Sequence, residues 1–217
     1  MFLYALENLK KIGKLTEREI DMWPDIKKKM SGYTIKAYDI KGFGKMSTVE
    51  YTGILGKTDI MVITPLYRDL PILFYKLEHF SLGKDILYLD LFDTQLERMS
   101  YEKLEGMEEV KRYYNNIAKY DRLSRWYDQF KLDPSVSKKD KKNVGKYNQL
   151  SKDWAAAYFN LIKGVGYCDF EKKQARVADF VWTMFEQGTD LTDQLKKVIG
   201  EEKAKELVSR YIFSSAE

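Results

Sequence analysis

The sequence is poor in the residues that build metal centres and disulfide bonds. It has one cysteine, Cys168, and one histidine, His79, among 217 residues. No intrachain disulfide can form from a single cysteine, and the composition disfavours a zinc site of the usual Cys/His kind. Serine–histidine catalysis would have to use His79, and no nucleophile-elbow motif accompanies it. Functions that depend on these groups are therefore not expected.

Long apolar runs and a strong charge imbalance are also missing. No apolar run approaches the ~18 residues that span a bilayer, and the opening MFLYALENLKKIGK lacks the small-residue motif of a signal-peptide cleavage site. The 37 basic and 33 acidic residues leave a net charge of +4, which is too small to indicate nucleic-acid binding. We expect a cytoplasmic protein with neither a nucleic acid nor a membrane as its partner.

Aromatic residues, in contrast, are abundant. Sixteen tyrosines, eleven phenylalanines and four tryptophans make up 14% of the chain. They could form a large aromatic core with half-exposed tyrosines, or they could line a pocket for a flat, conjugated ligand. Composition leaves both interpretations open.

The periodicity of apolar residues changes from helix to strand near residue 33. In the N-terminal segment, residues 1–32, Thr16 and Glu19 form a capping-box pattern before a helical repeat that includes Pro24 in its first turns. Residues 33–94 contain five strand-like runs: TIKAYDI, KMSTVEYTGI, TDIMVIT, PILFYKLEHF and DILYLDLF. The links between them are too short for crossover helices, which predicts an antiparallel meander.

Residues 95–217 are predicted to be helical, apart from the polar, lysine-rich LDPSVSKKDKKNVGKYN, which indicates a long loop. Ser151 is expected to cap a helix that Gly164-Val165-Gly166 ends, and Gly188 to cap a helix over residues 171–187. The order of elements predicts one α+β domain over residues 1–217. Apolar residues on both faces of most strands predict an α/β/α sandwich.

Several charged residues lie within the strand-like runs. Asp90 shares a face with Tyr88 and Phe92, so burial should raise its pKa unless it is paired, for example with hydrogen-bond donors of a nearby loop. Lys76 lies deep in its strand beside Phe74 and should meet a carboxylate, a ligand carboxylate or water.

Three further ionisable residues lie nearer to strand ends or on strands of mixed polarity. Glu50 is flanked by apolar neighbours on the opposite face, and Asp59 lies near a strand start. For His79, at a strand end, a surface position and a place in a site are both open.

Four features together resemble the ferredoxin-dependent bilin reductases. They are the acid-bearing strand STVEYT with Glu50, the Pro65 turn leading to Asp69-Leu70-Pro71, the strand DILYLDL with Asp90, and the closing segment TDQLKKVIGEEKAKELVSRYIF. The match spans residues 33–213, and it depends on the order and spacing of these motifs.

The resemblance implies a tetrapyrrole held between the sheet and the C-terminal helices. It also implies a radical reduction without flavin or metal and without a tightly bound cofactor, in which ferredoxin supplies single electrons and side chains supply protons. Ferredoxin or flavodoxin would dock on the lysine-rich segment from Lys138 to Lys142. Phe74, Tyr88, Asp90, Trp154 and Tyr158 are then the expected substrate-binding residues.

The positions of the family's proton donors differ in this chain. Glu50 matches the family's glutamate, Asp59 stands where relatives have a histidine, and Lys76 stands where they have an aspartate. Lys76 paired with Asp59 or Glu50 is expected to substitute, and His79 is the alternative if the strand register is shifted. A non-catalytic tetrapyrrole or haem carrier and an interaction domain without a small ligand are the other functional hypotheses.

Overall fold

One antiparallel sheet runs through the middle of the molecule and joins most of the chain. The computed structural model describes residues 1–97, 99–141 and 144–215. Its seven strands lie in chain order: β1 Leu15–Arg18, β2 Tyr33–Ile40, β3 Gly44–Gly53, β4 Gly56–Pro65, β5 Ile72–Phe80, β6 Asp85–Phe92 and β7 Val136–Asp140. Every neighbouring pair is antiparallel. The predicted meander is confirmed for its five central strands.

Helices cover both faces of this sheet. The α-helices are α1 Phe2–Ile12, α2 Trp23–Ile26, α3 Tyr101–Tyr113, α4 Val144–Lys163, α5 Phe170–Gln187, α6 Asp190–Ile199 and α7 Glu201–Glu206. A 3-10 helix covers Trp126–Phe130, and a π-helical turn covers Leu207–Ile212. Gly188 ends α5 with φ of 78°, as the predicted C-cap requires.

Two apolar cores lie on opposite sides of the sheet, which confirms the α/β/α sandwich. Helices α1, α3 and α4 pack on strand residues such as Leu77 and Leu89; we call this side the α4 face. Helices α2, α5, α6 and α7 pack on the other side, against Ile60 and Phe92; we call it the α5 face. The alternation of side chains along each strand divides the sheet residues between these two cores.

The C-terminal segment is hydrogen-bonded to the α5 face as well as packed on it. The Ser47 hydroxyl donates to the Ile212 carbonyl at 2.6 Å, and the Thr64 hydroxyl donates to the Phe213 carbonyl at 2.8 Å. Both hydroxyls are buried, so these bonds satisfy polar groups that would otherwise be costly in the core. They fix the last turn of the chain on the two central strands.

Three local predictions were wrong. Thr16 lies in β1, whose four residues pair with β2, instead of capping a helix. The lysine-rich segment predicted as a loop contains β7, which pairs with β6. Ser151 lies inside α4, and its hydroxyl donates to the Tyr147 carbonyl one turn earlier. In each case tertiary pairing or packing outweighed a short local signal.

Among the residues that the structure describes, no helix is both long enough and apolar enough to cross a membrane.

Candidate functional site

A narrow pocket lies on the α5 face between strands β5 and β6 and the start of α6. We call it the sheet pocket; its walls are formed by Phe74, Lys76, Tyr88, Asp90, Phe92, Tyr127, Met184, Thr189, Asp190 and Leu191. The register opposes Phe74 to Asp90 and Lys76 to Tyr88, so these four side chains form its floor. The four expected residues Phe74, Lys76, Tyr88 and Asp90 thus meet at one place.

Asp90 is the acidic residue of the pocket floor. It is 3% exposed, and one carboxylate oxygen, Oδ2, lies 2.8 Å from the Lys131 ammonium. The other, Oδ1, is buried with no hydrogen-bond partner among the described residues. Burial raises the pKa of Asp90 above its ordinary value, and the charge of Lys131 opposes the rise only in part. The site therefore holds a carboxyl group with a raised proton affinity and an unused acceptor.

Lys76 meets carboxylates, as its position in the strand requires. Its ammonium lies 2.7 Å from Glu78 and 3.8 Å from Asp190, and 5.4 Å from the centre of the Tyr88 ring. The side chain is 13% exposed. The Lys76 ammonium thus has one close anion and one aromatic face as its partners.

The outer wall of the pocket is formed by the segment around the 3-10 helix. Arg122 makes a two-pronged contact with Asp128, at 2.5 and 3.1 Å. Lys131 lies 3.3 Å from the same carboxylate, besides its contact with Asp90. The Tyr127 ring faces Lys131, whose ammonium lies 5.3 Å from the ring centre. This charged network holds an aromatic ring over the pocket.

An ion pair lies at the mouth of the pocket. Asp190, the first residue of α6, lies 2.6 Å from the Arg125 guanidinium. The Trp126 indole donates to the Gly188 carbonyl at 2.7 Å and joins the same two segments. The cavity within these walls has a volume of about 40 Å³. In this conformation the pocket admits water and must open for anything larger.

Three of the expected catalytic residues lie on the other side of the sheet. Glu50 pairs with Asp59 across β3 and β4, and Asp59 pairs with Leu77, which belongs to the α4-face core. Lys57 binds both acids, at 3.5 Å and 2.9 Å. Lys76 instead opposes Ile60, so the expected pairing of Lys76 with Glu50 or Asp59 is wrong. A difference of one residue in register separates them by the thickness of the sheet.

His79 also lies away from the sheet pocket. Along β5 it shares the face of Leu77, and its ring nitrogen Nδ1 lies 3.2 Å from the Asp85 carboxylate. The pair closes the β5–β6 hairpin, with the histidine side chain 28% exposed.

Trp154 and Tyr158 lie on α4, where both side chains are fully buried in the α4-face core. Their expected place in one substrate site with Asp90 is therefore wrong, because the sheet lies between them. The Tyr158 hydroxyl donates to the Pro71 carbonyl at 2.9 Å, so this ring supports the Asp69-Leu70-Pro71 turn.

The lysine-rich segment offers a smaller basic surface than the sequence suggested. Lys138 is 7% exposed, and its ammonium donates to the Ile117 carbonyl at 2.8 Å. Lys139 lies over the Tyr120 ring, while Lys141 is exposed. Lys142 lies outside the described residues. The expectation that Lys138 belongs to a docking surface is therefore wrong, because β7 directs its side chain inward.

Sequence reasoning missed the residues that complete the pocket from outside the sheet. Arg125, Tyr127, Lys131 and Asp190 come from two distant segments, and none of them lies in a conspicuous motif. One signal existed: a buried Asp90 needs a cation, and the segment after residue 120 supplies several.

The fold of this chain is similar to that of a solved structure. No protein-family model matches the chain, and no curated protein matches it by sequence. The chain is similar in fold to phytochromobilin synthase from tomato, solved in complex with biliverdin. The TM-score is 0.75 with 14% sequence identity, over 99% of this chain and 82% of that one. The two proteins share a fold.

Proposed function

We propose that this chain binds a linear tetrapyrrole in the sheet pocket and reduces it, with single electrons supplied by ferredoxin. The observation that carries the proposal is the Asp90 Oδ1 atom, which is buried in a pocket walled by aromatic rings and has no hydrogen-bond partner among the residues that the structure describes. A buried acceptor without a donor costs free energy, which a ligand N–H group would recover. A linear tetrapyrrole has pyrrole N–H donors and a flat conjugated surface.

Support also comes from the fold of a protein that was solved with biliverdin. The family resemblance of the sequence puts the ligand between the sheet and the C-terminal helices, and the sheet pocket occupies that layer. Rings of Phe74, Tyr88, Phe92 and Tyr127 provide the apolar contacts that a conjugated ligand needs.

Reduction of one double bond takes up two electrons and two protons. In the proposed reaction ferredoxin delivers the electrons one at a time, and the ligand forms the new bonds to hydrogen. Asp90 donates one proton, since burial raises the pKa of its carboxyl above the ordinary value. Lys76, which lies diagonally across from Asp90 on the same face of the sheet, donates the second proton. Protons from water then return to both groups.

A visible spectrum tests binding directly. Purified protein at micromolar concentration is mixed with biliverdin or with haem, and the absorption bands of the bound pigment should shift. Unchanged spectra with both pigments contradict the proposal. Reduced ferredoxin, added without oxygen, should then change the bilin spectrum with time.

Lys76→Met tests the role of this side chain. Turnover should be lost while the Kd of biliverdin stays within about tenfold, or ~1.4 kcal/mol. Lys57→Met is the matched control, because Lys57 lies on the neighbouring strand with its side chain on the α4 face; its turnover should be unchanged. If Lys76→Met loses binding and keeps turnover at saturation, the residue anchors the ligand instead.

A non-catalytic tetrapyrrole carrier is the second candidate. It is favoured by the position of Glu50, Asp59 and His79 behind the sheet, which leaves fewer proton donors in the pocket than the resemblance implied. A carrier would shift the spectrum of biliverdin but leave it constant after reduced ferredoxin is added.

A further inference from the structure

Asp190 occupies the mouth of the sheet pocket in the manner of a bound anion. A single oxygen, Oδ2, lies 2.6 Å from the Arg125 guanidinium and 3.8 Å from the Lys76 ammonium. The two cations come from the 3-10 segment and from β5, and the carboxylate comes from α6. Asp190 thus joins three elements at the opening through which a ligand must pass.

The two cations are not neutralised without this carboxylate. Lys76 has Glu78 at 2.7 Å as its second anion, so one negative charge would remain beside two positive ones if Asp190 moved away. An excess positive charge at the edge of an apolar pocket attracts an anion. Planar, two-pronged recognition of carboxylates is characteristic of arginine, so a carboxylate suits this position best.

Separating the Asp190 carboxylate from Arg125 requires little free energy. Asp190 is 55% exposed, and water screens an ion pair at such exposure, so the pair is weak. Gly188, two residues before Asp190, has φ of 78°, a backbone conformation outside the helical range that separates α5 from α6. Separation of Asp190 from Arg125 would widen the space between Tyr127 and Leu191.

We propose that Asp190 holds the place of a carboxylate of the ligand, so that the sheet pocket selects a conjugated ligand that carries an acid side chain. On binding, the ligand carboxylate replaces Asp190 at the Arg125 guanidinium, and its ring system enters the space over Asp90. This inference rests on the proposed function and adds the group that the mouth recognises. The unpartnered Asp90 Oδ1 beneath it is an independent sign that the pocket accepts a ligand.

The test compares biliverdin, which has two free propionates, with its dimethyl ester, in which both are blocked. Kd values are measured by absorption titration for the wild type, Asp190→Asn, Arg125→Gln and Asp193→Asn. Asp193 is the matched control, an exposed aspartate in the first turn of the same helix. Binding of the ester by a variant shows that it is folded.

The ratio of acid affinity to ester affinity is the decisive quantity. Asp190→Asn should raise it by about tenfold, because the free acid no longer competes with a fixed carboxylate. Arg125→Gln should lower it by a similar factor, and Asp193→Asn should leave it within about twofold.

Two results overturn the inference alone: an equal gain for both ligands in Asp190→Asn, or ratios that are the same in all four proteins. Failure of every protein to bind either ligand contradicts the proposed function, and this inference with it.

Discussion

At the scale of single residues, Asp90 shows how the site is built at the expense of stability. A carboxyl group that is 3% exposed, with one oxygen lacking a partner, is a poor core residue. Its neighbours Leu89 and Leu91 are fully buried on the opposite face, where they contribute only packing. Natural proteins keep such costly groups chiefly where function needs them.

The raised pKa of Asp90 predicts a particular pH dependence of stability. Between the ordinary value of 3.8 and the higher folded value, the folded state binds more protons than the unfolded state. The free energy of unfolding attributable to this residue is therefore greatest below that window and falls as pH rises through it. Urea unfolding of the wild type and of Asp90→Asn measures it: relative to the variant, the wild type should lose stability from pH 4 upward. A constant difference contradicts the prediction.

At the scale of elements, the Asp69-Leu70-Pro71 turn is held from both sides of the sheet. From the α4 face, Tyr158 donates to the Pro71 carbonyl. From α5, the fully buried Lys173 ammonium donates to the Leu70 carbonyl at 2.8 Å and the Thr94 carbonyl at 2.6 Å, and lies 3.4 Å from Asp69. The turn that the sequence associated with the ligand is thus a structural joint between the layers.

Lys173→Met should destabilise the protein by about 3 kcal/mol at pH 7, because buried carbonyls lose their donor and Asp69 loses its counter-ion. Lys172→Met is the control: this neighbour is 76% exposed and should change the free energy of unfolding by less than about 0.5 kcal/mol. Chemical denaturation of both variants measures the effect. Similar values for the two contradict a role of Lys173 as the joint.

The same residue predicts an alkaline effect of opposite sign to that of Asp90. Burial lowers the pKa of Lys173 from 10.5 to about 8. Between these values the unfolded state binds more protons, so the stability of the wild type relative to Lys173→Met should rise from pH 8 to 10.5. A difference that stays flat over this range shows that the folded pKa is not lowered.

At the scale of the whole molecule, two cores share one sheet, and the proposed site belongs to only one of them. Ligand bound on the α5 face stabilises the folded chain by about 2.7 kcal/mol at a free concentration of 100 Kd. The proposed ligand would contact the 3-10 segment and the start of α6, while α1 packs on the other side of the sheet.

Hydrogen exchange with and without biliverdin therefore has an expected pattern. Protection should rise most in Trp126–Phe130 and at the start of Asp190–Ile199, and least in Phe2–Ile12, once global stabilisation is matched. Stronger protection of Phe2–Ile12 would place the ligand on the α4 face. That outcome contradicts the proposed site.

Local patterns in the sequence are enough to predict the five central strands, their antiparallel order and the layers that cover them. Strand-length apolar runs, with links too short for helices, leave few other arrangements for residues 33–94. The sequence also brought Phe74, Lys76, Tyr88 and Asp90 to one face, because side-chain direction within a strand is a local property.

The contacts that those side chains make depend on the packing of the whole chain. Register between strands put Glu50 and Asp59 behind the sheet, away from Lys76, since a shift of one residue reverses the face. Lys131 and Asp190 reach the site from distant segments, whose placement depends on packing that no local pattern encodes. β7 was missed for the same reason. Its lysine-rich composition indicates an exposed loop, but Lys138 is buried and Lys139 stacks on a tyrosine ring once the strand pairs with β6.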